Sequence, residues 1–228
     1  MGKAVEEVAL QRGHEIIGKI DRPEEWKKAS EALTKADAVI DFSLPAVVVD
    51  NIYRCFNHNI PVITGTTGWY DRFEEVKKVA IESGQSLFAA SNFSLGVNIL
   101  FSLNRKLAQV MDKFPEFDVM IKETHHIHKV DSPSGTAITL ANDILKNLQR
   151  KKEWVNHNRE NHGQLEILSA REGEVVGIHE ITYNSDIENL SIKHEAKTRK
   201  GFAIGAVIAT EWMQGRKGVF GMQDIVGE

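Results

Sequence analysis

The chain has 228 residues, 42% hydrophobic and 26% charged, an ordinary globular composition with room for one large or two modest domains. A formal charge of −4 argues against a dedicated nucleic-acid binder, and the single cysteine, Cys55, excludes an internal disulfide framework and suits a reducing compartment. No apolar run reaches bilayer length, and residues 1–13 carry charge throughout, so neither a membrane span nor a signal peptide is expected and the cytoplasm is the natural location.

Residues 1–12 read as a helix already under way, with Val5, Val8 and Ala9 on one face and Gly13 as its C-terminal stop. Residues 15–20 read as a short strand ending at Asp21-Arg22. An acidic residue at the end of the second strand of a Rossmann unit bonds the adenosine ribose, and a nearby arginine accepts a 2′-phosphate. Asp21 and Arg22 fit both roles by position, but on the residues alone a solvated turn is the preferred reading. Residues 23–35 suggest a helix with Trp26, Ala29 and Leu33 in register. Residues 38–42 form a continuous apolar strand, and Ser43-Leu44-Pro45 turns into a helix through Asn57. The strand at 61–64 ends at Gly65-Thr66-Thr67-Gly68, a turn that lets backbone approach a ligand closely.

A helix over 71–83 and a strand over 86–90 follow, then Ser91-Asn92-Phe93-Ser94-Leu95-Gly96-Val97-Asn98. Repeated strand–helix alternation predicts an α/β fold with a Rossmann-like, doubly wound parallel sheet. The glycine-rich fingerprint of such a sheet belongs between a first strand and the first helix. Here the chain opens Met1-Gly2-Lys3, so the first strand and most of the pyrophosphate loop are expected to be missing.

A helix over 97–111 carries Ile99, Leu100, Leu103, Leu107 and Val110. Residues 117–124 then alternate, Phe117, Val119 and Ile121 against Asp118, Met120 and Lys122, as in a half-buried strand. That strand delivers Glu123-Thr-His125-His126-Ile-His128-Lys129-Val-Asp131-Ser-Pro-Ser-Gly135-Thr136-Ala137. Apolar residues at helical spacing continue to about residue 150, with Ser132 as the expected N-cap and Pro133 in the first helical position. The amides of Ser134, Gly135 and Thr136 would then face outward, an end that binds carboxylate or phosphate. Proton carriers therefore stand beside an anion cradle. A metal site on the three histidines is the rival reading. Adjacent strand residues face opposite sides, no His-Glu-x-x-His pattern exists, and no cysteine set is present, so none is expected.

Residues 151–163 read as a polar loop with His157, Arg159 and His162. Strands are expected over 165–171, 175–183 and 187–194, with hairpin turns at 171–174 and 184–186. With 117–124 they would make an α+β domain on a mainly antiparallel open sheet. A last helix is expected over 198–213, with Ala206, Val207, Ala209, Thr210 and Met213 along it.

The stretch at 123–137 resembles the signature Glu-x-His-His-x-x-Lys-x-Asp-x-Pro-Ser-Gly-Thr-Ala of the 4-hydroxy-tetrahydrodipicolinate reductase (dihydrodipicolinate reductase) family, with every fixed position matched. The stretches at 62–68 and 89–98 are also similar, and the likeness extends to 218–226. The resemblance implies a dinucleotide-binding domain of residues 1–91 and 200–228, and a substrate-binding and oligomerisation domain of residues 92–199. It implies NADH or NADPH as cofactor, a small dicarboxylate substrate and a homotetramer, with no nucleic acid or membrane partner. In those terms His125 is the proton donor, Lys129 a second donor, and His126, Gly135 and Thr136 hold substrate. Met1, Gly2, Asp21, Arg22, Gly65, Thr66, Thr67, Ala90, Ser91, Asn92 and Phe93 would meet the cofactor. Asp131 is given no role. Two alternatives stay open: a truncated, non-catalytic form of this fold with impaired cofactor binding, and a metal-dependent hydrolase on the histidine cluster.

Overall fold

The computed structural model describes residues 1–22 and 24–227. The chain divides into two compact units, Met1–Leu95 with Lys200–Glu228, and Gly96–Arg199. The helices and strands of the first half are α1 (Gly2–Gln11), α2 (Glu25–Lys28), α3 (Ser30–Leu33), β1 (Val39–Asp41), α4 (Pro45–Asn57), β2 (Val62–Thr64), α5 (Phe73–Glu82) and β3 (Ser86–Ala89). Next come α6 (Leu95–Met111), β4 (Asp118–His125), α7 (Gly135–Asn147), β5 (Glu153–Val155), β6 (Gln164–Arg171), β7 (Gly177–Asn184) and β8 (Asn189–Ala196). The chain closes with α8 (Lys200–Met213), β9 (Gly218–Phe220) and α9 (Met222–Val226).

The first unit is a parallel sheet in the order β1-β2-β3-β9. Successive strand residues face opposite sides, so each short strand feeds two cores. Val62 and Leu87 pack with Ile52, Val76 and Ala80 of α4 and α5. Ile63 and Phe88 pack with Val5, Val8, Ala203 and Val207 of α1 and α8. Both sheet faces are thereby covered, which is why these strands read as unbroken apolar runs. Each buried aliphatic or aromatic side chain contributes roughly 1.5–3 kcal/mol. Gly13, at φ +86°, lets its amide and that of His14 close the last turn of α1.

Three expectations for this unit need correction. Residues 15–20 form no ladder with any described strand, because the sheet runs only from β1 to β9. They lie beside α1 instead, held by a 2.6 Å bond from Lys19 Nζ to Glu6. The helix expected over 23–35 is two single turns, α2 and α3, broken at Ala29, and Pro23 lies outside the described residues. The helix expected over 71–83 begins with a 3₁₀ turn at Tyr70–Arg72 before α5. Among the described residues no strand precedes α1.

The second unit is a five-stranded sheet ordered β5-β6-β4-β7-β8. Its pairings are mixed: β5 with β6 and β6 with β4 are parallel, while β4 with β7 and β7 with β8 are antiparallel. The hairpin expected at 171–174 is therefore absent. β4 inserts between β6 and β7, and residues 172–176 cross over it, with Glu172 N–H donating to His125 O. The second hairpin is present, its Ser185 N–H donating to Glu188 O. The stretch expected as a loop over 151–163 contains β5, because the buried Lys151 ammonium gathers the carbonyls of His162 and Gln164 and the Asp118 carboxylate. α6 and α7 cover one sheet face, and Leu100, Ala108, Leu140 and Ile144 join Val119, Ile121, Leu165, Ile167, Ile181 and Tyr183 in its core. Ile99, Leu103 and Val110 of α6 are about half exposed, so the apolar stripe read from the sequence is wider than the buried face.

Candidate active site

The apolar face of the second sheet ends in polar residues. Along β4 the inward positions run Val119, Ile121, Glu123, His125; along β6 they run Leu165, Ile167, Ser169, Arg171; along β7, Tyr183, Ile181, His179, Gly177. Cross-strand register therefore sets Glu123 between Ser169 and His179, and His125 beside Arg171. Period-2 alternation alone explains this placement. The core fills one end of the face and leaves charged groups at the other.

Glu123 is fully buried and fully engaged. Its Oε2 accepts from His125 Nδ1. Its Oε1 accepts both Arg171 guanidinium nitrogens, at 3.1 and 3.2 Å, and the Ser134 amide at 3.3 Å. Burial alone would push this carboxyl up, but hydrogen bonds from His125, Ser169 and Arg171 outweigh it and hold the group down at about 2. His179 stacks edge-on to His125 at 5.1 Å, and its Nε2 lies 3.0 Å from Ser134 Oγ. Burial, and then the nearby His125, push His179 down to about 4.

The helix start differs from expectation in one residue pair. Ser134, not Ser132, is the N-cap: it is extended at φ −66°, ψ 152°, and its Oγ accepts from Ala137 N–H at 3.2 Å. A cap must sit one residue before the first helical position, and α7 begins at Gly135. Among the described residues the amides of Gly135 and Thr136 have no protein acceptor. Gly135 opens to free space, with nothing within 4 Å of where a Cβ would stand. Of the three amides expected to face outward, those of Gly135 and Thr136 lack a protein acceptor, whereas that of Ser134 is bonded to Glu123, whose other oxygen accepts from His125. Lys129 lies in the loop between them, its ammonium donating to both Asp131 oxygens at 2.7 and 2.9 Å. Arg171 Nη2 bonds the Asp131 carbonyl at 2.7 Å, tying that loop to Glu123.

The three signature histidines separate. His125 points inward, His126 lies 3.4 Å from Arg199, and His128 is exposed near Glu174. The groups that converge are Glu123, His125 and His179, whose ligand atoms lie within 4.8 Å of one another, a spacing a metal ion could use. The Arg171 guanidinium on the same carboxylate opposes a second cation there. Glu123, Arg171 and His179 were given no role from the sequence, and Ser134 was read there only as an outward-facing amide. The alternation of β4 was the available signal for Glu123, since it shares the face of His125.

In the first unit the parallel strands end together, placing Asp41–Ser43, Gly65–Thr67 and Ala90–Asn92 at one carboxyl edge. Such edges receive ligands in open α/β sheets. The Thr66 hydroxyl is spent internally, donating to Asp41 at 3.1 Å, and Phe93 is buried in the core, so these two offer backbone rather than side chain. Gly65 is required: a Cβ there would stand 2.1 Å from the Phe42 ring. Thr67 and Ser91 are exposed, and Ala90 donates its amide to Thr64 O. Asp21 and Arg22 sit on an exposed bend, their amides bonded to Glu25. Helix α1 starts at Met1-Gly2 with no side-chain cap, no acidic residue in its first turn, and open space above Gly2, an end that fits a phosphate.

A doubly wound parallel sheet in one unit, with an imidazole, an ammonium and an open helix start on the other, defines a Rossmann-type oxidoreductase. Residues 1–93 match the family model described as dihydrodipicolinate reductase, N-terminus, and residues 96–226 match that of its C-terminus. The 4-hydroxy-tetrahydrodipicolinate reductase of Christiangramia forsetii is 41% identical over all of this chain and 94% of its own length. That of Akkermansia muciniphila is 37% identical with the same coverages. A dipicolinate-bound dihydrodipicolinate reductase from Paenisporosarcina sp. TG-14 shares the fold at TM-score 0.76 and 21% identity, over 99% of this chain and 94% of that one. An amine dehydrogenase from Mycobacterium smegmatis shares it at TM-score 0.56 and 12% identity, over 96% and 91%. The chain belongs to the dihydrodipicolinate reductase family, whose members are NAD(P)H-dependent oxidoreductases. Membership favours the reductase over the non-catalytic and hydrolase alternatives.

Proposed function

We propose that this chain reduces 4-hydroxy-tetrahydrodipicolinate to tetrahydrodipicolinate, with loss of water, on the route to diaminopimelate and lysine. The reaction is the one its relatives are named for. NADH or NADPH supplies the hydride when bound. Met1 and Gly2 would hold its pyrophosphate at the start of α1, with Asp21 and Arg22 at the adenosine ribose. The turns at Gly65, Thr66 and Thr67 and at Ala90, Ser91, Asn92 and Phe93 would serve its nicotinamide end.

The observation that carries the reading is the Glu123 carboxylate, which joins the His125 ring to the helix start at Gly135 and Thr136. Hydride arrival builds negative charge on the substrate, and His125 returns a proton to it. Lys129 draws in the diacid and serves as a second donor; Gly135 and Thr136 amides grip a carboxylate, and His126 touches substrate. Asp131 must release Lys129 as the substrate carboxylate takes its place. Cofactor oxidation followed by absorbance, with both NADH and NADPH, tests this. His125→Gln and Lys129→Ala should each lower kcat by about 100-fold or more without weakening cofactor binding. Wild-type turnover in either variant would refute that residue's role.

The open face of the second sheet, bearing Met120, Lys122, Glu180 and Lys193, supports a homotetramer built through such sheets. The cytoplasm is the proposed location. Among the described residues no helix is long and apolar enough to cross a membrane.

A further inference from the structure

Glu123 is buried deeper than any residue assigned a chemical role, and its two oxygens are divided between different partners. Oε1 takes donors that cannot change, the Arg171 guanidinium and the Ser134 amide, and the Ser169 hydroxyl also faces the carboxylate. Oε2 faces a ring nitrogen that could be either donor or acceptor, His125 Nδ1. A carboxylate accepts and never donates, so this contact requires the proton on Nδ1. Among the described residues His125 Nε2 has no hydrogen-bond partner. Gly177, with no side chain, leaves room beside it.

We propose that Glu123 is a positioning residue: clamped by Arg171, its carboxylate keeps a proton on Nδ1 of His125 and so confines the transferable proton to Nε2. In the imidazolium both nitrogens carry protons, and only the one on Nε2 is free to leave. After transfer the neutral ring remains in the Nδ1–H form, with its orientation unchanged and Nε2 ready to be reprotonated. This rests on the proton-donor reading of His125 given above. The charged and titratable groups around the pair are Arg171 from β6, His179 from β7, and Lys129 and Asp131 from the loop, with His194 of β8 behind His179.

The glutamine variant makes the idea sharp. In Glu123→Gln the amide oxygen must face Arg171 and the Ser134 amide, which only donate. The amide NH₂ then faces Nδ1 and turns it into an acceptor, moving the neutral ring's proton to Nε2. The full-length protein, labelled with ¹⁵N-histidine, reports the proton's position through its ring-nitrogen spectrum. Wild type should show neutral His125 protonated on Nδ1, and Glu123→Gln should show it on Nε2. The variant's kcat should fall about 100-fold, with KM within about threefold, and Glu123→Asp should recover part of the rate. A wild-type ring protonated on Nε2 overturns the proposal without any variant. An unchanged spectrum in Glu123→Gln overturns it whether or not rate is lost. If His125→Gln turns over at the wild-type rate, the proton-donor reading itself falls and takes this inference with it. If His125→Gln is slow while Glu123→Gln is fast, only the role of Glu123 is refuted.

Discussion

Gly177 lies against the His125 ring: a Cβ at that glycine would stand 3.1 Å from Nε2 and 3.3 Å from Cδ2. The backbone there is ordinary strand, so space and not conformation demands glycine. Gly177→Ala should fold but push the imidazole aside by a few tenths of an ångström. Misplaced donors cost rate steeply, so kcat should drop about tenfold while cofactor affinity is unchanged. Steady-state kinetics beside cofactor titration would read this, and an unaltered kcat would mean the ring has slack.

A second glycine guards the first unit. At Gly205 of α8 a Cβ would sit 1.7 Å from the carbonyl oxygen of Phe93, a backbone atom that cannot swing away. Gly205→Ala must therefore separate the helix from the 90–93 turn, at a cost on the order of 2 kcal/mol. Urea unfolding should show that loss, together with weaker dinucleotide binding. Full stability in the alanine variant would show that α8 shifts freely.

Acid should loosen the active-site end of the second sheet in two stages. Burial holds His179 neutral down to about 4, against an ordinary value of 6.5, so the unfolded chain takes up a proton that the folded one refuses. Stability from this group is present above about 6.5 and is lost as pH falls toward 4, roughly 3 kcal/mol in all. Glu123 is shifted the same way, from 4.5 to about 2, so its contribution is lost below about 4.5. Unfolding free energy measured from neutral pH downward should decline from about 6.5, and His179→Asn should flatten the first stage. A level profile between about 6.5 and 4 would contradict the assignment.

Cofactor choice should respond to Asp21 and Arg22. Both amides are anchored on Glu25, which leaves the carboxylate and guanidinium free to face a ribose. Arg22→Ala should raise KM for NADPH more than for NADH, and Asp21→Ala should do the reverse, each by several-fold. Equal changes for both cofactors would place the adenosine end elsewhere.

Much of this was legible in the residues. The parallel strands were readable because burial on both faces writes Ala38-Val39-Ile40 and Val62-Ile63 without polar alternation. The signature stretch announced His125, Lys129 and the helix start. What stayed hidden depended on pairing. Nothing local to 171–174 says that β4 will insert between β6 and β7, so a strand crossover looked like a tight hairpin. Arg171 was consequently read as a turn residue, when register sets it opposite His125. Residues 15–20 had strand composition and no neighbour to pair with. Ser132 and Ser134 are both sound caps, and only the backbone of Ser134 decides between them.

β4 is the central strand of its sheet, laddered to β6 on one side and β7 on the other. The imidazole thus rides on the segment whose amides should exchange with solvent last, while the lysine and its aspartate sit on a loop outside the ladder, joined to it through Arg171. In the proposed reaction, substrate closure would adjust the lysine's grip while the central strand keeps the proton's aim fixed.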